Sequence, residues 1–116
     1  MAKSLPQWVA EEISSAKFEY NETWKYSGYA LDLDKKNCRA DIQFYDKLPD
    51  GRHIATLETS DKELFEKIEL AQVNMFEFKV FSSKLSEKVT TLLREDYEIQ
   101  MEKIYKFELL SVEKLE

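Results

Sequence analysis

The chain reads as a mainly β domain carrying two or three short helices, on three observations. Apolar residues recur with a period of two through most of its length, the mark of strands with one buried face. Helical spacing surfaces only in short stretches. Glycine and proline number two each among 116 residues, which leaves regular elements joined by short turns. At 43% apolar and 34% charged, the composition is that of one globular domain with a single modest core.

The opening residues predict a helix over 4–15. Ser4 stands at the cap, Gln7 three residues on and Pro6 in the first turn, while Trp8, Val9 and Ile13 share a face. From about Lys17 the period becomes two. Phe18, Tyr20, Trp24 and Tyr26 occupy even positions, and Tyr29, Leu31 and Leu33 odd ones. The phase flips at Gly28, which predicts one long strand bent there, with Trp24 and Tyr26 as core.

A turn follows over Asp34–Asn37. In the next strand Ala40, Ile42 and Phe44 face one way, and Arg39, Asp41, Gln43 and Tyr45 the other. "LPDG" at 48–51 is a type I turn signal. A four-residue loop there pairs Phe44 with Ala55 and Ile42 with Leu57, apolar on apolar, and leaves Gln43, Tyr45, Ile54 and Thr56 on the opposite face. Ser60 and Glu63 predict a capped helix carrying Leu64, Phe65, Ile68 and Ala71. "NMFEFKVF" is a strand with Phe76, Phe78 and Val80 inward. Leu85, Val89, Leu92 and Leu93 at helical spacing fit a short helix or a structured loop. Apolar residues at odd positions from Tyr97 to Leu109, interrupted at Lys103, predict one long final strand or two collinear pieces.

Three strands in a meander, a helix, then two more strands, with the first strand bent at a glycine, is an order similar to the OB-fold, a five-stranded Greek-key barrel. The resemblance covers residues 17–112 and rests on topology. The expectation is therefore an OB-like five-stranded antiparallel barrel preceded by an N-terminal helix, in a single domain. An α+β open antiparallel sheet with helices on one face fits the same string. The resemblance implies a binding module that holds single-stranded nucleic acid or another protein across strands two and three. Mapped here, that face is Arg39, Gln43, Tyr45, Ile54 and Thr56. The loop between strands four and five brings Lys84, Lys88 and Arg94.

The net charge of −6 disfavours an anionic polymer. It is spread evenly, with 8 basic and 10 acidic side chains in residues 1–60 and 9 and 13 in the remainder. Tyr45 is the one well-placed aromatic on the face. Stacking adds about 1–3 kcal/mol per base, so a single ring binds weakly. The two partner classes are thus single-stranded DNA or RNA, and a protein that also meets Trp8 on the N-terminal helix.

Other chemistry is disfavoured. Cys38 is the sole cysteine and His53 the sole histidine, a pairing that makes neither a disulfide framework nor a metal site. Asp32 and Asp34 begin a calcium-loop spacing, but Lys36, Asn37 and Gln43 stand where the loop needs an oxygen ligand, a glycine and a bidentate glutamate. Two glycines 23 positions apart make no phosphate loop. Ser82, Ser83 and Ser86 are not in a nucleophile elbow. The acidic pairs fall on solvent faces. The expectation is a non-enzymatic protein without cofactor or metal, with no membrane segment and a cytoplasmic location.

Overall fold

The computed structural model describes residues 4–115. In chain order the elements are α1 (Gln7–Ser14), β1 (Glu19–Asp34), β2 (Arg39–Phe44), β3 (Ile54–Glu58), α2 (Lys62–Phe65), β4 (Val73–Lys84), α3 (Glu87–Tyr97) and β5 (Lys103–Lys114). The described residues are mainly β, with three helices among them. Its five strands form one mixed sheet in the order β1-β2-β3-β5-β4, which closes on itself. β1 pairs with β2 and β2 with β3 in antiparallel fashion. β3 and β5 run parallel, through Leu57↔Phe107 and Glu58↔Glu108. The expected all-antiparallel sheet is corrected on this join, and the closed order departs from the open-sheet alternative.

Two compact units share the chain. Tyr20–Phe81 and Lys106 onward form a barrel unit, and Ser82–Tyr105 with the N-terminal residues through Glu19 forms a helical unit.

In the barrel unit the alternation buries Ala40, Ile42 and Phe44 from β2, Ala55 and Leu57 from β3, and Phe76, Phe78 and Val80 from β4. Trp24 is buried as expected, with Phe78 and Phe107 about its ring at centroid distances of 6.1 and 6.0 Å. Tyr20 is not core. It is exposed, its hydroxyl 2.9 Å from Thr23 Oγ1 and its ring edge-on to Phe81.

The phase of β1 does not flip at Gly28. Trp24, Gly28 and Ala30 are all buried, so the even phase runs through the glycine. The register with β2 slips between Ala30 and Asp32 instead, and Leu31 is extruded at that bulge to the solvent. Gly28 serves a different need, since a Cβ built there would stand 2.3 Å from the Gln43 carbonyl oxygen. The glycine allows β1 and β2 to approach closely.

The β2–β3 pairing is also corrected. Ile42 faces Ala55 and Ala40 faces Leu57, two residues from the expected register, so the faces are right and the partners wrong. The connection is longer than a four-residue loop because Leu48 turns inward and is buried. The turn itself forms, with the Gly51 amide donating to the Leu48 carbonyl at 2.8 Å and Gly51 at φ +89°. The strands end above it, where the Phe44 amide donates to the His53 carbonyl at 2.7 Å.

α2 is one turn, Lys62–Phe65, and does not run on to Ile68 and Ala71 as expected. Asp61 caps it rather than Ser60, accepting from the Leu64 amide at 3.1 Å. The chain then leaves the helix so that Leu70 can bridge Ala30, with Ala71 at φ 63° donating its amide to the Ala30 carbonyl. Phe65 and Ile68 are buried by this return.

In the helical unit Val9, Leu85, Val89 and Leu93 form a small core, with Ile13, Leu92, Tyr97 and Ile104 packed against it. α1 starts at Gln7, and Pro6 rather than Ser4 holds the N-cap position, its carbonyl accepting from the Val9 and Ala10 amides. Ser4 instead accepts, through its carbonyl, a 2.7 Å bond from the Tyr97 hydroxyl. The segment after β4 resolves to helix. Ser86 caps α3 by accepting from the Val89 amide. Glu98 in the left-handed region ends it, with the Ile99 amide on the Leu93 carbonyl. The final strand therefore begins at Lys103, with Tyr97 inside the helix and Ile99 and Met101 exposed between the two.

Candidate interaction surfaces

The outer face of the barrel unit is ordered by strand register. One cross-strand row is Tyr29–Gln43–Ile54, the next Asp32–Asp41–Thr56, and the last Asp34–Arg39–Glu58, continued by Glu108 on β5. Rows of alternate residues lie about 7 Å apart along the strands. The face thus has an aromatic and apolar end and an acidic end.

At the apolar end Tyr45 and Ile54 are 56% and 48% exposed. The ring of Tyr45 lies 6.0 Å from that of Tyr29, and its amide donates to the Ser27 carbonyl. Gln43 is half-buried, with Nε2 donating to the Phe44 carbonyl. Sequence reasoning placed Tyr29 in the core because it put the phase change at Gly28. The persistence of the even phase to Ala30 turns Tyr29 outward, beside Tyr45.

At the acidic end the Thr56 hydroxyl donates to Asp41 Oδ1 at 2.6 Å. Asp34 accepts from Nδ2 of Asn37 and then from its amide, and these bonds, the side-chain one foremost, hold its carboxyl below the ordinary value of 3.8. Arg39 is not free for a phosphate. Its Nε lies 3.4 Å from Glu58, and Lys106 Nζ lies 3.3 Å from the same carboxylate. Arg39 and Tyr45 stand six residues apart along the chain, about 20 Å in extended backbone, so they do not form one patch.

The helical unit holds the other expected residues. Trp8 is 47% exposed and lines an open groove with Lys88, Leu92 and Glu95. Lys84 and Arg94 line a second groove with Ser86, Thr90 and Glu102. Lys84, Lys88 and Arg94 are solvent-exposed, and acidic residues stand in both grooves.

Glu12 joins the two helices of this unit, since its carboxylate accepts from the Ser86 amide at 3.0 Å. Hydrogen bonding from the Ser86 side chain first, and then from its amide, holds the Glu12 carboxyl below the ordinary value of 4.5. A lowered folded-state pKa means the bond's contribution is full above 4.5 and is lost as pH falls through the lowered value. The protection factors of the Ser86 and Val89 amides, taken against the intrinsic exchange rate at each pH, are expected to fall on acidification, and Glu12→Gln is expected to flatten that dependence.

Among the described residues there is no cluster of three or more His, Cys, Asp or Glu side chains arranged for a metal ion. Nor is there a helix long and apolar enough to cross a membrane. No protein-family model, curated protein or solved structure matches the chain.

Proposed function

We propose that this protein is a non-enzymatic binding module with an OB-like barrel, and that the outer face of β1, β2 and β3 engages a protein partner. The closed order β1-β2-β3-β5-β4 with parallel β3 and β5 supports the OB-like reading. The observation that carries the choice of partner is the exposure of Ile54 and Tyr45, each a neighbour of Gln43 on this face, with Arg39 and Lys106 at its other end paired to Glu58. An exposed aromatic and aliphatic pair on a sheet suits an apolar anchor from another protein.

Single-stranded nucleic acid is the second reading, and the Tyr29–Tyr45 ring pair favours it by offering two rings for stacking. Phosphates crossing the acidic rows would meet repulsion, which ranks it second.

The test is a photo-cross-linking residue at position 54. It is expected to capture a saturable protein species that excess wild-type chain competes away and Ile54→Asp chain does not. Tyr45→Ala is expected to weaken capture while leaving the melting temperature unchanged, because the ring is exposed. Saturable, salt-sensitive binding of labelled single-stranded DNA or RNA in fluorescence anisotropy, with no capture at position 54, overturns the protein reading.

A further inference from the structure

We infer that the partner docking on this face carries an apolar anchor followed by basic side chains, in an extended segment lying along β2. The inference rests on the protein-binding reading and adds its chemistry and direction. Five carboxylates share the outward rows: Asp32, Asp34, Asp41, Glu58 and Glu108. Arg39 and Lys106 both contact Glu58, and Lys35 and Lys62 line a pocket with Asp32. Asp32 and Asp41 face each other directly across β1 and β2. Like charges opposed on a sheet are destabilising, so the pair gains from a cation placed over it.

The charge is also displaced to one end. The Tyr29–Gln43–Ile54 row carries no charged side chain. The Asp32–Asp41 row begins two residues along, and the Asp34–Glu58 row four. In an extended ligand at about 3.3 Å per residue, an anchor over Ile54 puts its second neighbour above the Asp32–Asp41 row, about 7 Å away, and its fourth, about 13 Å away, at the row where Asp34 and Glu58 flank Arg39. An aromatic–x–Lys–x–Lys segment matches that spacing, and one running the opposite way does not. A second copy of this chain is a poor occupant, since the net charge of −6 repels its like.

The test is amide chemical-shift mapping on the full chain with three probes. They are the capped peptide tryptophan-serine-lysine-serine-lysine, the same peptide with glutamates for lysines, and a short oligothymidylate. The lysine peptide is expected to shift Gln43, Asp41 and Ile54 saturably, more weakly as salt rises. Asp32→Lys is expected to weaken it roughly fivefold by turning an attraction into a repulsion, and Asp32→Asn by less. Equal shifts from the glutamate peptide overturn the inference, as does indifference to both Asp32 variants. If neither peptide shifts the face, the inference also falls. The protein reading falls separately, only if oligothymidylate shifts the face and capture at position 54 is absent.

Discussion

Gly28→Ala is expected to unfold the barrel unit or to lower its stability by about 3 kcal/mol or more. The added methyl would stand 2.3 Å from the backbone carbonyl oxygen of Gln43 and 3.1 Å from Ile42 Cγ2. A flexible side chain could swing aside, but a carbonyl held in a strand ladder cannot. Relief therefore requires separating β1 from β2 at the row where Gly28 faces Phe44 and the Tyr45 amide meets the Ser27 carbonyl. The φ of Gly28 is not in the left-handed region, so the effect is steric and not conformational. Urea denaturation followed by tryptophan fluorescence measures it. A midpoint within error of the wild type would show that the strands do not approach this closely.

Phe44→Ala is expected to cost about 3–5 kcal/mol, the usual range for an aromatic deleted from a close-packed core. Phe44 is 1% exposed, with the rings of Tyr26, Phe76 and Phe78 at 6.4, 6.3 and 5.6 Å between centroids. These neighbours come from β1 and β4, so truncation opens a void that none of them fills without leaving its strand position. Phe44→Leu is expected to recover much of the loss, and calorimetry on the pair separates ring loss from a general intolerance of change at the site.

Inside and outside were legible wherever alternation was unbroken. Ala40, Ile42 and Phe44 point inward, and so do Phe76, Phe78 and Val80. Partners were less legible, because register depends on how much chain the connection consumes. Leu48 reads as a turn residue until its burial is known, and a register two residues longer sets Arg39 opposite Ser60 instead of Glu58. That difference decides whether Arg39 is a free cation or half of an ion pair.

The bulge was hidden for a related reason. Leu31 is apolar and completes an odd-position row on paper, yet it is the residue extruded. The shift of one residue that follows turns Asp32 and Asp34 outward, whereas the unbroken even phase before it is what brings Tyr29 beside Tyr45. Caps failed on a finer scale. Ser60 and Asp61 are adjacent and both suited to capping, and the choice falls to backbone geometry, with Thr59 Oγ1 accepting from the Asp61 amide to fix the turn.

The parallel join of β3 and β5 has a consequence for how the chain acquires its structure. Leu57 and Phe107 meet across α2, β4 and α3, so the seam can form only after the intervening chain has been gathered in. Closing so long a loop costs entropy before any contact offsets it, and folding rates fall as such distant pairings dominate. The β1–β2–β3 meander forms from neighbours and can collapse early. Until β5 arrives, the outer edge of β3 carries unpaired amides and carbonyls, the surface on which strands of other molecules add. Capture of β5 by the far end of the meander is then expected to limit the rate of folding, and the species waiting for it is expected to be the most prone to aggregate.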